Sequence, residues 1–263
     1  MKIAIIGAGN MGGAIVRGLS NSRSIKAADI YCSDRSEKML DKITDINKNV
    51  HVSTDNKEIV KHADIIIAAV KPWLLESVIK EIKPSMDYER QLFVSIAAGV
   101  TFCTLCEYLK EKEEIPALFR VIPNTAIEVQ ESVNIMSSYN ATEKQTATIK
   151  ELFDELGLTV MVEERLMNAG MALASCGIAY AFRYIRAAIA GAVELGLHPE
   201  QAKIIEMQTL KGAVALLETN RSHPEAEIDK VTTPGGITIR GLNAMEEAGF
   251  TNAVIKGLKA SVS

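Results

Sequence analysis

A chain of 263 residues, 48% of them hydrophobic, can bury the core of one large domain or two ordinary ones, and that composition excludes a disordered chain. Aromatics are only 5% and the formal net charge is -4, which argues against a β-sandwich and against general attraction to nucleic acid or anionic membranes. The apolar stretch in MKIAIIGAGN is too short for a signal-peptide core, and the longest weakly polar run, Met171 to Phe182, falls short of a membrane span. The expectation is a cytosolic protein with no nucleic-acid or membrane partner.

Taken in chain order, the apolar runs Ile3–Ile6, Ile30–Cys32, Ile65–Val70, Leu92–Ile96 and Leu118–Ile122 are short and continuous, as strands covered on both faces are. Helical stretches lie between them at Met11–Leu19, Glu37–Ile43, Trp73–Ile82 and Phe102–Leu109. Thr142–Leu156 reads as a further helix with Ile149, Leu152, Phe153 and Leu156 on one face and Gly157 as its stop, and a strand at Leu158–Val162 closes this half. Alternating βα units of this kind predict a doubly wound parallel sheet over residues 1–163. From residue 164 to 263 the texture becomes rich in Ala, Gly, Met and Leu, and strand-like alternation does not return. Helices are expected near Leu166–Leu173, Ser175–Leu195, Pro199–Glu218, Ile237–Glu247 and Asn252–Ala260. The Ser175–Leu195 helix is apolar around most of its circumference, apart from Arg183, Arg186 and Glu194, and so wants burial on several sides. A partner subunit supplies that in a domain of this size, so the second domain is read as a smaller, all-α dimerisation domain.

Gly7-Ala8-Gly9-Asn10-Met11-Gly12 stands directly after the first strand and before a helix. Gly7 permits the tight turn, Gly9 lets the backbone approach a pyrophosphate, and Gly12 lets the helix pack closely on the sheet. The helix N-terminus adds free N–H groups and a positive dipole end. Together these make the first half a Rossmann-type dinucleotide domain. At the tip of the next strand stand Ser33, Asp34 and Arg35. An acid there binds the ribose 2′-OH of NADH, whereas Arg beside a small polar residue holds the 2′-phosphate of NADPH. Ser33 occupies the position expected to discriminate, which favours NADPH, with NADH the alternative; Asp34 also reads as a cap for the helix starting near Ser36. Ala69, Val70, Lys71 and, after the next strand, Ala97 lie at carboxyl ends of strands, where ligands sit in such sheets.

In the second half Val231-Thr232-Thr233-Pro234-Gly235-Gly236-Ile237-Thr238-Ile239 is the unusual stretch. Its N–H groups, hydroxyls and following helix N-terminus form a second anion site, or else a loop with a capped helix. Of the four cysteines, Cys103 and Cys106 form a CxxC, but no second ligand pair accompanies it. No metal is expected, and the thiols are read as buried or half-buried.

The whole pattern resembles the pyrroline-5-carboxylate reductase family. It is carried by GAGNMG, Asn56 in DNKEIV, AAVKP, SIAAGV, RVIPNT from Arg120 to Thr125, AYAF from Ala179 to Phe182, and above all VTTPGGITIRGL from Val231 to Leu242. The resemblance covers essentially the full length. It implies NAD(P)H-dependent reduction of 1-pyrroline-5-carboxylate to L-proline, in a homo-oligomer that is a dimer or a ring of dimers. It further implies that Thr233, Gly235, Gly236 and Thr238 hold the substrate carboxylate, and that Asn124 sits by the nicotinamide end. Gly7 to Gly12, Asn56, Ala69 to Lys71 and Ala97 are implied for the cofactor. Thr238 is the expected catalytic hydrogen-bond donor at or near the ring nitrogen or carboxylate. The chain departs from the family at Ala174-Ser175-Cys176-Gly177-Ile178, where a Ser-Gly-Ser-Gly-Pro run is usual, and at Ala126, where proline commonly follows Asn-Thr. The β-hydroxyacid dehydrogenases share the first-half architecture but usually carry a catalytic lysine on the long helix, where this chain has Arg183 and Arg186 and no lysine.

Overall fold

The computed structural model describes residues 1–111 and 113–262, so Ser263, the last residue of the expected second domain, lies outside the described residues. Two compact units emerge, Met1–Ser175 and Cys176–Ser263.

The first unit runs β1 (Ile3–Ile6), α1 (Asn10–Ser20), β2 (Ile30–Ser33), α2 (Glu37–Ile46), β3 (His51–Ser53), α3 (Asn56–His62), β4 (Ile65–Ala68), α4 (Pro72–Ile82), β5 (Leu92–Ser95) and α5 (Phe102–Leu109). It continues through β6 (Ala117–Ile122), a 3-10 turn at Thr125–Val129, β7 (Ser132–Tyr139), α6 (Glu143–Asp154), β8 (Gly157–Met161) and α7 (Met167–Met171). The eight strands form one sheet in the order β3-β2-β1-β4-β5-β6-β7-β8. Every pairing is parallel except β6 with β7.

Alternation along each strand sorts the core into two layers. Ile3 and Ile5 of β1 join Ile15, Leu19 and Phe153 on one face, while Ala4 and Ile6 join Ile59, Leu75 and Ile79 on the other. Because α1, α2 and α6 cover one face and α3, α4 and α5 the other, the strands read as continuous apolar runs. The expected strands from Ile3 to Ile122 and the one near Leu158 are present, with ends shifted by a residue or two. β3, α3 and β7 were not expected. β3 is short and polar, and its three residues are exposed or half-buried at the sheet edge. β7 is an eight-residue strand that pairs antiparallel with β6 after the 3-10 turn, so it breaks the βα rhythm.

Glu164–Ser175 was grouped by its texture with the helical half, yet it belongs to the first compact unit. Met167 is fully buried in a small cluster with Ile122 and Ile135, and Gly170 approaches Ile135 closely. Instead of a break between two helices, a π turn at Ala172–Cys176 runs from α7 directly into the next helix.

The second unit holds α8 (Gly177–Glu194), α9 (Pro199–Asn220), α10 (Pro224–Val231), α11 (Ile237–Glu247) and α12 (Phe250–Ala260). α10 is an addition to the expected set; its start is set by Pro224 and by His223, whose Nδ1 accepts the Glu225 N–H. Among its described residues only Ala202 is a buried hydrophobic, while Leu195, Ile204, Met207, Val214, Leu216 and Ile237 stand exposed. No helix among the described residues is long and apolar enough to cross a membrane.

Candidate functional site

At the carboxyl end of β1 the chain turns through Gly7, whose φ of 102° lies in the region glycine tolerates. The Gly7 N–H donates to the Ser33 carbonyl at 2.7 Å, tying the loop to β2. A Cβ on Gly7 would sit 2.8 Å from the Ala69 carbonyl oxygen, and one on Gly12 only 1.8 Å from that of Gly7. These two glycines are required by packing. Gly9 differs: a Cβ there meets nothing within 4 Å. The space over Gly9 is therefore open among the described residues. Gly9 is also the N-cap of α1, gives it no side-chain cap, and is followed by no acidic residue in the first turn. The positive end of α1 faces that space uncompensated, which fits a pyrophosphate.

Around this cradle the expected cofactor residues take their places in the first unit. Ala8 is buried, Asn10 exposed and Met11 half-buried on the loop and first turn of α1. Ala69 and Val70 follow β4 half-buried, Lys71 is exposed as the N-cap of α4, and Pro72 opens that helix. Ala97 follows β5 with 5% exposure.

Ser33 does not present its hydroxyl to the cleft. It is fully buried, and its Oγ donates to Asn56 Oδ1 at 2.7 Å. The cause is strand parity. Ile30 and Cys32 point to the face covered by α1 and α2, so Ser33 turns with Tyr31 to the other face, where α3 brings Asn56. Asn56 in turn donates from Nδ2 to Glu81 on α4 at 3.2 Å. The polar group that reaches back to the loop is Asp34. Its Oδ2 accepts the Ala8 N–H at 2.8 Å and its Oδ1 accepts the Ser36 N–H at 2.9 Å. Asp34 thus holds the turn ahead of α2 against the glycine loop rather than capping the helix itself, whose N-cap is Ser36 and carries no side-chain cap. Burial, and then the negative charge of Asp34, push the neighbouring Cys32 thiol up to about 12. Arg35 is exposed. The Asp34–Ala8 contact had a sequence signal, the acid at a strand tip; the Glu81 link, 25 residues from Asn56, had none.

Asn124 lies at the carboxyl end of β6 with 7% exposure. Its Oδ1 accepts the Ala126 N–H at 3.0 Å, and its Nδ2 donates to the Ala174 carbonyl at 3.5 Å. A proline at 126 has no N–H, so the first of these bonds exists because of the departure at Ala126. Ser175, in the other departure, donates its hydroxyl to the Pro123 carbonyl at 2.7 Å. Both departures thus anchor the π turn to the loop after β6. Of the CxxC pair, Cys106 is half-buried but Cys103 is exposed, contrary to expectation, because it lies on the outward side of α5.

In the second unit the loop between α10 and α11 closes on itself through the Gly236 N–H, which donates to the Thr233 carbonyl at 2.9 Å. Gly235 adopts φ 70°. Gly236 is the N-cap of α11, with no side-chain cap and no acidic residue in the first turn. Thr233 and Thr238 are exposed, with Thr238 the second residue of α11. Arg240, which sequence reasoning passed over, donates from Nε to the Gly236 carbonyl at 3.3 Å. Open N–H groups, two hydroxyls and a guanidinium make this loop a fit for a small carboxylate.

Residues 164–263 match a family model described as pyrroline-5-carboxylate reductase dimerisation, and residues 2–99 match one described as NADP oxidoreductase, coenzyme F420-dependent. Over 271 residues the chain is 36% identical to pyrroline-5-carboxylate reductase 1 of Dictyostelium discoideum; the match covers 98% of this chain but 48% of that protein, so the chain spans about half the length of this relative. It is 38% identical over 265 residues to the pyrroline-5-carboxylate reductase of Methanosarcina acetivorans, covering 99% of this chain and 96% of that one. The solved structure of Plasmodium falciparum pyrroline carboxylate reductase with NADP bound superposes with a TM-score of 0.89 at 29% identity, covering 100% of this chain and 95% of that chain.

Proposed function

The chain belongs to the pyrroline-5-carboxylate reductase family of nicotinamide-dependent oxidoreductases, and from that premise we propose how its own residues reduce 1-pyrroline-5-carboxylate to L-proline. The observation that carries the reading is that α1 and α11 each follow a glycine loop, at Gly9 and at Gly236, and begin with neither a side-chain cap nor an acidic residue in the first turn.

The Gly7 to Gly12 loop would hold the pyrophosphate of the cofactor by those N–H groups not already given to Ser33 and Asp34, as the Gly7 and Ala8 N–H groups are, with Asn56 and Asp34 toward its adenosine side and Ala69 to Lys71 and Ala97 toward the rest. Bound there, the reduced nicotinamide supplies a hydride to the imine carbon. Thr233, Gly235, Gly236 and Thr238 hold the substrate carboxylate, and Asn124, its amide fixed by Ala126 and Ala174, shapes the nicotinamide end. A ring imine is easily protonated, so orienting it is the main task. Thr238 serves that task by hydrogen bonding at the carboxylate or ring nitrogen. The histidines fit this reading, because none is needed: His51 and His62 stack on Tyr31, and His198 and His223 stand at helix N-termini. The cofactor is NADH or NADPH, and the choice is made at the tip of β2, between Asp34 and Arg35.

The test follows nicotinamide absorbance during incubation with 1-pyrroline-5-carboxylate and, separately, with short β-hydroxyacids and the oxidised cofactor. Oxidation of the reduced cofactor with formation of proline is expected; turnover of the hydroxyacids alone would overturn the reading.

The dimerisation match and a helical unit that buries almost no apolar side chain by itself support a homo-oligomer, a dimer or a ring of dimers. Native mass measurement at micromolar protein is expected to give a mass of at least two chains. A monomer would remove the proposal, since exposed Leu195, Ile204, Val214 and Ile237 would then face water. A cytosolic setting completes the reading and suits four free cysteines.

A further inference from the structure

We infer that Asp34 is the residue that selects the cofactor, and that it selects NADH over NADPH. The inference rests on the proposed dinucleotide reading and deepens it.

The carboxylate of Asp34 is fixed. Both oxygens are engaged, one by the Ala8 N–H of the glycine loop at 2.8 Å and one by the Ser36 N–H at 2.9 Å. An ionised carboxylate has about four acceptor positions, so two remain for donors from a ligand. The hydroxyls of an adenosine ribose are such donors, and the tip of β2 is where that ribose lies in folds of this kind. A 2′-phosphate offers only acceptors and adds negative charge beside a negative group. Asp34 cannot swing aside to admit it without breaking both backbone hydrogen bonds and loosening the loop that cradles the pyrophosphate.

The groups around Asp34 do not restore a phosphate site. The Ser33 hydroxyl, the small polar donor that a phosphate would use, is buried and committed to Asn56. The Asn56 amide donates to Glu81, which brings a second carboxylate to the same corner. The two cations flanking these residues, Arg35 and Lys57, are exposed, so their attraction acts through water and is screened. A fixed charge at the strand tip outweighs mobile charges in solvent. NADPH binding therefore suffers more from Asp34 than it gains from Arg35.

The experiment titrates NADH and NADPH separately into the full-length protein without substrate, following nicotinamide fluorescence, for the unmodified chain, Asp34→Asn and Arg35→Ala. Asparagine keeps the shape and an acceptor oxygen while removing the charge, and melting temperatures confirm that each variant is folded. The unmodified protein is expected to bind NADH at least about tenfold more tightly than NADPH, the worth of a charge-assisted hydrogen bond. Asp34→Asn is expected to move the ratio of the two Kd values toward NADPH by about ten- to a hundredfold. Arg35→Ala leaves the Kd for NADH within about twofold, as expected for removal of an exposed cation. Tighter binding of NADPH by the unmodified chain, or a ratio that Asp34→Asn does not move, overturns the assignment while leaving the dinucleotide site standing. Failure of both cofactors to bind overturns the dinucleotide reading, and the role of Asp34 falls with it.

Discussion

Replacing Gly9 by valine is expected to raise the Kd for the nicotinamide cofactor on the order of a hundredfold or more, with the melting temperature of the free protein nearly unchanged. The position is open: a Cβ there touches nothing within 4 Å, and the backbone at Gly9, with φ -66° and ψ -169°, is one that other residues adopt. A branched side chain fits the fold but occupies the volume over the helix N-terminus that a pyrophosphate needs. Gly12→Val, only three residues further along the chain, is expected to do the reverse. Its Cβ would lie 1.8 Å from the Gly7 carbonyl oxygen, so α1 must move off the sheet. The cost is about 3 kcal/mol or more, which for a chain of this length lowers Tm by roughly 6–12 °C. Differential scanning calorimetry and cofactor titration on the same two preparations check both. If Gly9→Val bound cofactor normally, the loop would be a structural turn and nothing more.

Thr238→Ala is expected to lower kcat/KM for 1-pyrroline-5-carboxylate by about ten- to a hundredfold, the loss of one charge-assisted hydrogen bond of about 1.5–3 kcal/mol. Cofactor affinity is expected to stay the same, because the residues proposed to hold the cofactor lie in the first unit. Thr238→Ser, which keeps the hydroxyl, retains most activity. Gly236→Val is worse than either. Its Cβ would meet Thr233 Oγ1 at 2.6 Å and the Thr233 carbonyl oxygen at 3.0 Å, so the loop that presents the N–H groups must open. If the loop only terminates α10 and starts α11, Thr238→Ala lowers the melting temperature and leaves the kinetic constants alone. Among the described residues Thr238 makes no capping bond, and Gly236, the N-cap, has no side chain to provide one. Steady-state kinetics and thermal denaturation measured together separate the two outcomes.

Much of this was readable from the amino-acid order. Continuous apolar runs such as Ile3–Ile6 and Ile65–Ala68 announce strands covered on both faces, because burial leaves no room for polar residues on either side. The glycine loop and the Thr-Thr-Pro-Gly-Gly loop could be placed before helices because turn chemistry and helix capping are local. What stayed hidden depends on residues far apart in the chain. β7 was missed because SVNIMSSY mixes polar and apolar residues as a strand paired antiparallel to β6, outside the βα rhythm. The place of Glu164–Ser175 was hidden because Met167 reads like the helical half in composition, and only its packing on Ile122 and Ile135 ties it to the sheet.

The two residues at the tip of β2 show the division most clearly. The sequence by itself determined that a polar pair, Ser33 and Asp34, would stand where a strand meets the dinucleotide loop. Only the tertiary structure decided their roles. Side chains alternate along a strand, so Ser33 turned inward to Asn56, while Asp34, just past the last paired residue, was free to curl back onto the Ala8 N–H, 26 residues away in the chain. A strand's parity relative to its neighbours is set by how the sheet is assembled, and no local pattern of residues encodes it.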